Sequence, residues 1–353
     1  MSRWLTLCIW QVNGRTGRKH LPDPVSQIIQ LVTSTYFLEI VLFPGLTSIA
    51  ILGAFFTWFE RKLTARVQLR IGPLYSSPVG GILQGFADII KLLFKELIIP
   101  EGADRFFFIM SPVTALIIGA ALLGLIPFAP GIQIANVEVG LPAFLAIVTL
   151  SPTLVLLAGW SANSKFPFIG GLRALFQQTA YEIPLWLSAL GVVMITGTLS
   201  LSGIVQYQQN NGWLIIPQAL GAVLFIVTST AEMERLPFDL PEAESEIMMG
   251  WQAEYPGPLF MLVQGPAFIK LYAFAALFST LYLGGYVGPA IVPPIVWFFA
   301  KTIVIIVAIM LFRSTFPRVR LDQLLRQGWT TLLTLSIVNI VIAYFIVVGV
   351  PTI

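Results

Sequence analysis

The sequence predicts an all-α polytopic membrane protein, with about eight transmembrane helices and an amphipathic helix at the membrane surface. Three observations predict it. Of the 353 residues, 57% are hydrophobic and only 10% charged, whereas a soluble domain carries roughly a quarter charged residues; mean hydropathy is +0.86. Apolar runs long enough to cross a bilayer, which takes about 20 residues, recur along the chain. The Lys and Arg residues gather in alternate connections between those runs, the bias that orients membrane proteins.

Residues 1–35 read as an N-terminal extension with Arg3, Arg15, Arg18 and Lys19, to which the sequence assigns no role. It lacks the pattern of a cleavable signal, because no small-residue cleavage site precedes the first long apolar run. Residues 36–350 read as one transmembrane domain, with spans at 36–59, 106–128, 142–160, 175–198, 213–231, 257–283, 293–313 and 328–349. Within the first connection, Val79 to Leu97 has helical periodicity. Ile82, Phe86, Ile89, Ile90, Leu93 and Phe94 share one face, and Asp88, Lys91 and Lys95 share another. Such a helix lies along the membrane surface, packs against another subunit, or does both.

The connections 60–105, 161–174, 232–256 and 313–327 carry fourteen Lys and Arg residues, whereas 129–141, 199–212 and 284–292 carry none. The bias puts the first four in the cytoplasm and the N-terminus on the opposite side. Only the four basic residues of the extension run against it. The expected location is a prokaryotic plasma membrane.

The connection 232–256 concentrates acids: Glu232, Glu234, Asp239, Glu242, Glu244, Glu246 and Glu254 are seven of the seventeen in the chain. Carboxylates this close repel one another, and a membrane boundary solvates them poorly; both effects raise pKa. Glu242 and Glu246 are four apart, so they are expected to share a helix face and raise each other's pKa. Pro237 and Pro241 bracket Phe238 and Asp239 and fix the backbone, which predicts a shaped loop. A solvated acidic loop and a proton-exchanging cluster both fit this stretch taken alone.

Three charges fall inside spans: Glu182 in the fourth, Lys270 in the sixth and Lys301 in the seventh. Lys270 lies roughly 13 residues into its span, ~20 Å deep at the helical rise. A charge at such depth costs several kcal/mol unless it is paired or hydrated. Lys301 is expected to snorkel to the outer interface, which Lys270 is too deep to do. Glu182 reads as a relay or as half of a structural pair. One cysteine (Cys8) and one histidine (His20) exclude an internal disulfide, an iron–sulfur site and a histidine-based triad. No phosphate loop, nucleophile elbow or metal-ligand spacing occurs. No metal and no nucleic acid is expected; what remains is moving protons or holding a lipid-like ligand.

Four co-linear groups of residues carry a family resemblance. They are Glu60-Arg-Lys, Arg66-Val-Gln-Leu-Arg70-Ile-Gly-Pro73 and Ala87-Asp88-Ile-Ile-Lys91-Leu; then Gly170-Gly-Leu-Arg173-Ala with Tyr181-Glu-Ile-Pro184. The third is Arg235-Leu-Pro-Phe-Asp-Leu-Pro-Glu-Ala-Glu-Ser-Glu246 with Glu254-Tyr255, and the fourth Arg313-Ser-Thr-Phe-Pro-Arg318-Val-Arg320-Leu-Asp322-Gln-Leu. Over roughly 36–345 they resemble the quinone-site membrane subunit of complex I, the type-1 NADH:quinone oxidoreductase family (the H subunit in bacteria, subunit 1 in mitochondria).

The resemblance implies a membrane component without a redox centre and with no covalently bound cofactor. Quinone would be the substrate, and the iron–sulfur clusters and flavin would sit on partner subunits. The implied partners are the peripheral quinone-site subunits, including the one with the terminal cluster, small and antiporter-like membrane subunits, and lipids. Carried over by position, Glu60, Arg61, Arg66, Arg70, Asp88, Lys91, Arg235, Arg313 and Arg318 would line the quinone chamber and its mouth. The seven loop acids would start a proton path, with Glu182 as its intramembrane relay. The donor stays open: NAD(P)H, ferredoxin or another. Two departures stand out. Glu234 falls where the resemblance leads one to expect Asn, and Ala267 where many respiratory members have Glu, with Lys270 three residues on. Two rivals are the membrane subunit of an energy-converting hydrogenase, which uses no quinone, and a stand-alone secondary transporter. The transporter needs inverted repeats, which the two halves do not show.

Overall fold

A computed structural model describes residues 46–77, 80–289 and 291–349, and every regular element among them is helical. The predicted extension and residues 36–45 of the first span lie outside the described residues. In chain order come α1 (Leu46–Val67), the short α2 (Gln84–Leu93), α3 (Arg105–Gly124), α4 (Gly140–Val148) and α5 (Ser151–Ser161). Then follow α6 (Lys165–Thr196), α7 (Leu201–Asn211), α8 (Ala219–Glu232) and a loop holding α9 (Glu244–Ile247) and a 3-10 turn (Gly250–Gln252). The chain ends with α10 (Gly257–Tyr282), α11 (Pro294–Thr315), α12 (Leu321–Arg326), a π turn (Gln327–Leu332) and α13 (Leu333–Gly349).

Among the described residues six helical segments are long and apolar enough to cross a membrane: Arg105–Gly124, Gly140–Ser161, Lys165–Thr196, Gly257–Tyr282, Pro294–Thr315 and Leu321–Gly349. They correspond to six of the eight expected spans. Of the other two, the first is described only from Leu46, and its apolar part ends before Glu60, as expected, while the helix runs on through Arg61, Lys62 and Arg66 to Val67. The fifth span starts at Ala219 rather than 213. Pro217 disfavours helical geometry at the residue before it, and residues 214–218 fold as a turn whose Ile215 N–H donates to the Tyr282 carbonyl at 3.0 Å. Fourteen residues cover only ~21 Å.

Three further differences have local causes. Of the expected Val79–Leu97, Val79 lies outside the described residues and the surface helix occupies Gln84–Leu93, because Gly80 and Gly81 before it have positive φ. The connection 199–212, expected to be irregular, contains α7. The 32-residue α6 begins ten residues before the expected span. At ~48 Å it outruns a ~30 Å hydrocarbon core, so its first turns project from the bundle and offer a wall to the acidic loop.

The second half of α10, Leu271 to Tyr282, is buried on every side. Phe144 and Phe225 pack against its Phe274, Phe278 and Tyr282, with Phe144–Phe274 and Phe225–Tyr282 edge-to-face at 5.9 Å. Such pairs add about 0.5–1.5 kcal/mol each beyond area burial. By contrast α13 leaves Ile337, Val341, Tyr344, Phe345 and Val348 exposed, a surface suited to lipid. The four basic connections meet at one end of the bundle. Asp104 N–H donates to Ser161 O (2.9 Å), Val319 N–H donates to Pro237 O (3.1 Å), and Thr64 Oγ1 lies 3.2 Å from Ser314 Oγ.

Candidate functional site

The acidic loop is folded onto the projecting part of α6. Two consecutive glutamines hold its limbs. Gln177 Nε2 donates to the carbonyls of Ala231 (2.8 Å) and Phe238 (2.7 Å), and Gln178 Nε2 donates to Glu232 O (3.2 Å) and Glu234 Oε1 (2.7 Å). Phe238 and Leu240 pack with Tyr181 and Leu324 beneath them. Gly170 lets the 3-10 turn lie directly on α6: a Cβ there would come within 2.7 Å of Trp251 N. Gly250 has φ +55°, and a Cβ on it would run into the Pro241 carbonyl, so only glycine fits. The loop is therefore shaped, as its prolines predict.

Three ionic groupings surround it. In the first, Arg235 Nη1 donates to Glu60 Oε2 at 2.7 Å, and Arg313 Nη1 contacts Glu60 Oε1. This buried group ties α1, the loop and α11 together. The Arg235 guanidinium also lies 4.9 Å from the Phe268 ring centroid. Burial lowers the Arg235 pKa to about 10, which still leaves it charged at neutral pH. In the second, Arg61 Nη1 donates to Asp88 Oδ2 at 2.5 Å and joins α1 to α2. This pair is open to solvent and worth at most about 1 kcal/mol. In the third, Glu246 accepts from Arg173 Nη1 (2.5 Å) and faces Arg318 Nη2 at 3.6 Å. The Arg173 hydrogen bond holds the Glu246 carboxyl below its usual range. Arg66, Arg70 and Lys91 are exposed, and Arg70 Nε bonds Gln68 instead of joining the other charges.

Between α3, α5, α10 and the loop lies a cavity of about 50 Å³, room for roughly three or four waters. Glu234, Glu242, Gln252, Ser151, Ser111 and Lys270 give it a polar wall. Lys270 Nζ donates to Ser151 Oγ, Gln252 Nε2 donates to Glu242 Oε1, and Gln264 Nε2 donates to Gln252 Oε1 at 2.7 Å. Burial pushes the Glu234 carboxyl up to about 7; the Lys270 charge opposes this and Asp239 adds to it. Burial, then the charges of Asp239 and Glu234, push Glu242 well above the usual carboxylate range. Glu234 sits at φ +55°, a left-handed backbone that costs a side-chain-bearing residue roughly 1–2 kcal/mol and that Asn tolerates better. Glu232, the last residue of α8, is 1% exposed, and neither of its carboxylate oxygens accepts a hydrogen bond among the described residues. It lies in the field of Lys270, Glu182 and Glu234. Glu182 is half-buried on α6, within reach of the Trp186 indole. No group of three or more His, Cys, Asp or Glu placed to hold a metal ion occurs among the described residues.

The expected Glu242–Glu246 pairing is corrected. The helix is only Glu244–Ile247, so Glu242 lies before it and turns to the cavity while Glu246 turns out to Arg173. Their carboxyls shift in opposite directions. Glu254 is half-buried in the turn before α10. The Glu244 backbone is in α9, and its side chain lies outside the described residues. Sequence reasoning missed Arg173, Gln177, Gln178 and Gln252 as site residues. A glutamine pair next to an apolar run, with α7 and α8 between it and the acidic loop, was the available signal.

Lys301, expected to snorkel, does reach towards the bundle's other end but stops inside protein. It is 8% exposed, and its ammonium donates to the carbonyls of Leu283 (2.7 Å), Gly285 (3.0 Å) and Val287 (2.6 Å). The Trp213 ring centroid lies 5.0 Å away.

The family described as NADH dehydrogenase matches residues 39–344. The H subunit of NADH-quinone oxidoreductase from Dehalococcoides mccartyi (strain CBDB1) is 41% identical over 298 residues, 84% of this chain and 83% of its own. The protein of that name in Geobacillus kaustophilus is 41% identical over 315 residues, covering 86% and 93%. In Methylococcus capsulatus it is 39% identical over 308 residues, covering 87% and 96%. This chain therefore belongs to the NADH dehydrogenase family that includes the H subunit of NADH-quinone oxidoreductase.

Proposed function

We propose that the chain is the quinone-chamber membrane subunit of a proton-translocating oxidoreductase, and that its acidic loop couples quinone reduction to proton movement. One observation carries this reading. The loop acids are not spread in solvent: Glu232 and Glu234 are buried, and Glu234 and Glu242 line a cavity that a cation, Lys270, also lines. Quinone reduction takes up protons as well as electrons. A charge change beside such a cluster shifts the coupled affinities of its carboxyls. Glu232 lies in the field of both Glu234 and Glu182, so in this reading a proton or a field change passes inward along Glu234 or Glu242, Glu232 and Glu182.

The Glu60, Arg235 and Arg313 group fixes the loop against α1 and α11 at the chamber wall, and Arg61 with Asp88 holds α2 at its mouth. The exposed apolar residues Phe86, Ile90 and Leu93 of α2, and Phe94 just after it, face lipid or the peripheral subunits. Those partners carry the iron–sulfur clusters and flavin. The positive-inside bias places this end in the cytoplasm.

The test is Glu182→Gln in the assembled complex. Assembly is retained and quinone-driven proton translocation is lost. An unchanged ratio of protons moved to electrons transferred removes Glu182 from the path. Arg61→Ala raises the apparent KM for quinone several-fold; an unaltered KM removes it from the mouth.

A further inference from the structure

The cavity joins two charges of opposite sign that lie at the two departures from the family pattern, Glu234 on the loop and Lys270, three residues after Ala267 in α10. Four observations bear on how they interact. Among the described residues Lys270 makes no direct ion pair; its hydrogen bond goes to Ser151 Oγ on α5. An ammonium has three donors, and the cavity that Lys270 lines has room for waters and is polar enough to hold them. On the opposite wall Glu234 accepts from Gln178 with one oxygen, at 2.7 Å. Finally, a carboxylate stands at 234 although its φ of +55° is easier for Asn or Gly.

We propose that Lys270 and Glu234 form a water-bridged ion pair across this cavity, and that the pair sets how many protons the cavity holds at rest. The proposal builds on the proton-path reading above, but concerns the resting charge of the site. Around the pair the loop contributes Glu232, Arg235, Asp239 and Glu242, α6 contributes Glu182, and α3 and α5 contribute only the hydroxyls of Ser111 and Ser151. The Arg235 guanidinium is bonded to Glu60 and also lies in the field of Glu242 and Asp239. Lys270 is the cation common to all three of Glu232, Glu234 and Glu242, with Arg235 beside it at Glu242. Without it the cavity keeps its acids but loses the counter-charge, and a proton takes its place on Glu234. A water-bridged pair, unlike a direct one, is broken by proton transfer along its own waters.

The experiment is infrared spectroscopy of the intact membrane complex about one pH unit above the Glu234 pKa of about 7, where native Glu234 is mostly ionised, read at the carbonyl stretch of protonated carboxyl groups. Lys270→Gln adds the signal of one protonated carboxyl. Lys270→Arg, which keeps the charge, leaves the band as in the native protein. In the double variant Lys270→Gln with Glu234→Gln the added signal disappears. A band unmoved by Lys270→Gln, or a gain that survives Glu234→Gln, overturns the pair. If Lys270→Gln alone does not assemble, the double variant is expected to assemble, because the two charges leave together; failure of both also overturns it. Should the band behave as stated while Glu182→Gln still translocates protons, the pair stands and the proton-path reading falls.

Discussion

Lys301 and Lys270 are both ammonium groups inside membrane helices, and the protein treats them oppositely. Lys301 is surrounded by three backbone carbonyls and an indole face, so each of its donors has a partner. It holds the turn after α10 in one shape, and a fully satisfied buried charge has little left to respond with. Lys270 has a hydroxyl and a cavity, and the acids facing it are held mainly by neutral amides or, for Glu232, by no hydrogen bond among the described residues. Satisfaction makes a joint; incomplete satisfaction in a poorly hydrated place makes a group that gains or loses protons when the field changes. The two ends of the bundle differ in that way.

The comparison breaks most sharply at the buried joint on the loop side. Arg235→Ala takes one charged partner from the buried Glu60 and leaves it with Arg313 alone; this should destabilise the protein by about 1.5–3 kcal/mol, read as loss of thermal stability or of assembled complex. Next comes Lys301→Met, which leaves three carbonyls without their donor. A cost of about 1–3 kcal/mol is expected, with no change in proton translocation; altered translocation would mean that Lys301 is more than a joint.

A pH titration sharpens the contrast. Glu234 titrates at about 7 in the folded chain against a reference of 4.5, so between these values the folded state keeps a proton that the unfolded chain releases. Its contribution to stability is full below pH 4.5 and is lost as pH rises through 7, at up to about 1.4 kcal/mol per pH unit. Glu234→Gln should flatten that slope, as seen in thermal melts across the window. The smallest effect is expected from Arg61→Ala, whose exposed pair with Asp88 is worth under about 1 kcal/mol; its consequence belongs to quinone use.

Much of this is legible in the sequence, and the exceptions share a cause. Apolar runs announce spans, and Lys and Arg placement announces which connections share an end, because both follow from the cost of putting charge in hydrocarbon. Local spacing fails wherever long-range contacts decide. Glu242 and Glu246 look like helix neighbours, yet the Gly250–Pro241 contact and the Arg173 guanidinium pull them apart. Glu60 meets Arg235 and Arg313 from segments far apart in the chain, which no pattern within a window can show. The position of Lys301 in its span places it towards the end opposite the acidic loop, but its carbonyl partners are backbone groups, invisible in a sequence. Lys270 and Glu234 are each visible as oddities, and only the fold puts them in one cavity.

The central claim is that carboxyls drawn into the bundle change protonation when quinone is reduced next to them. Redox-difference infrared spectra of the intact complex, native against Glu242→Gln and Glu234→Gln, test it most directly. The account predicts a carboxyl band in the native difference spectrum that both substitutions diminish. A native difference spectrum without that band, or one indifferent to both substitutions, would contradict it.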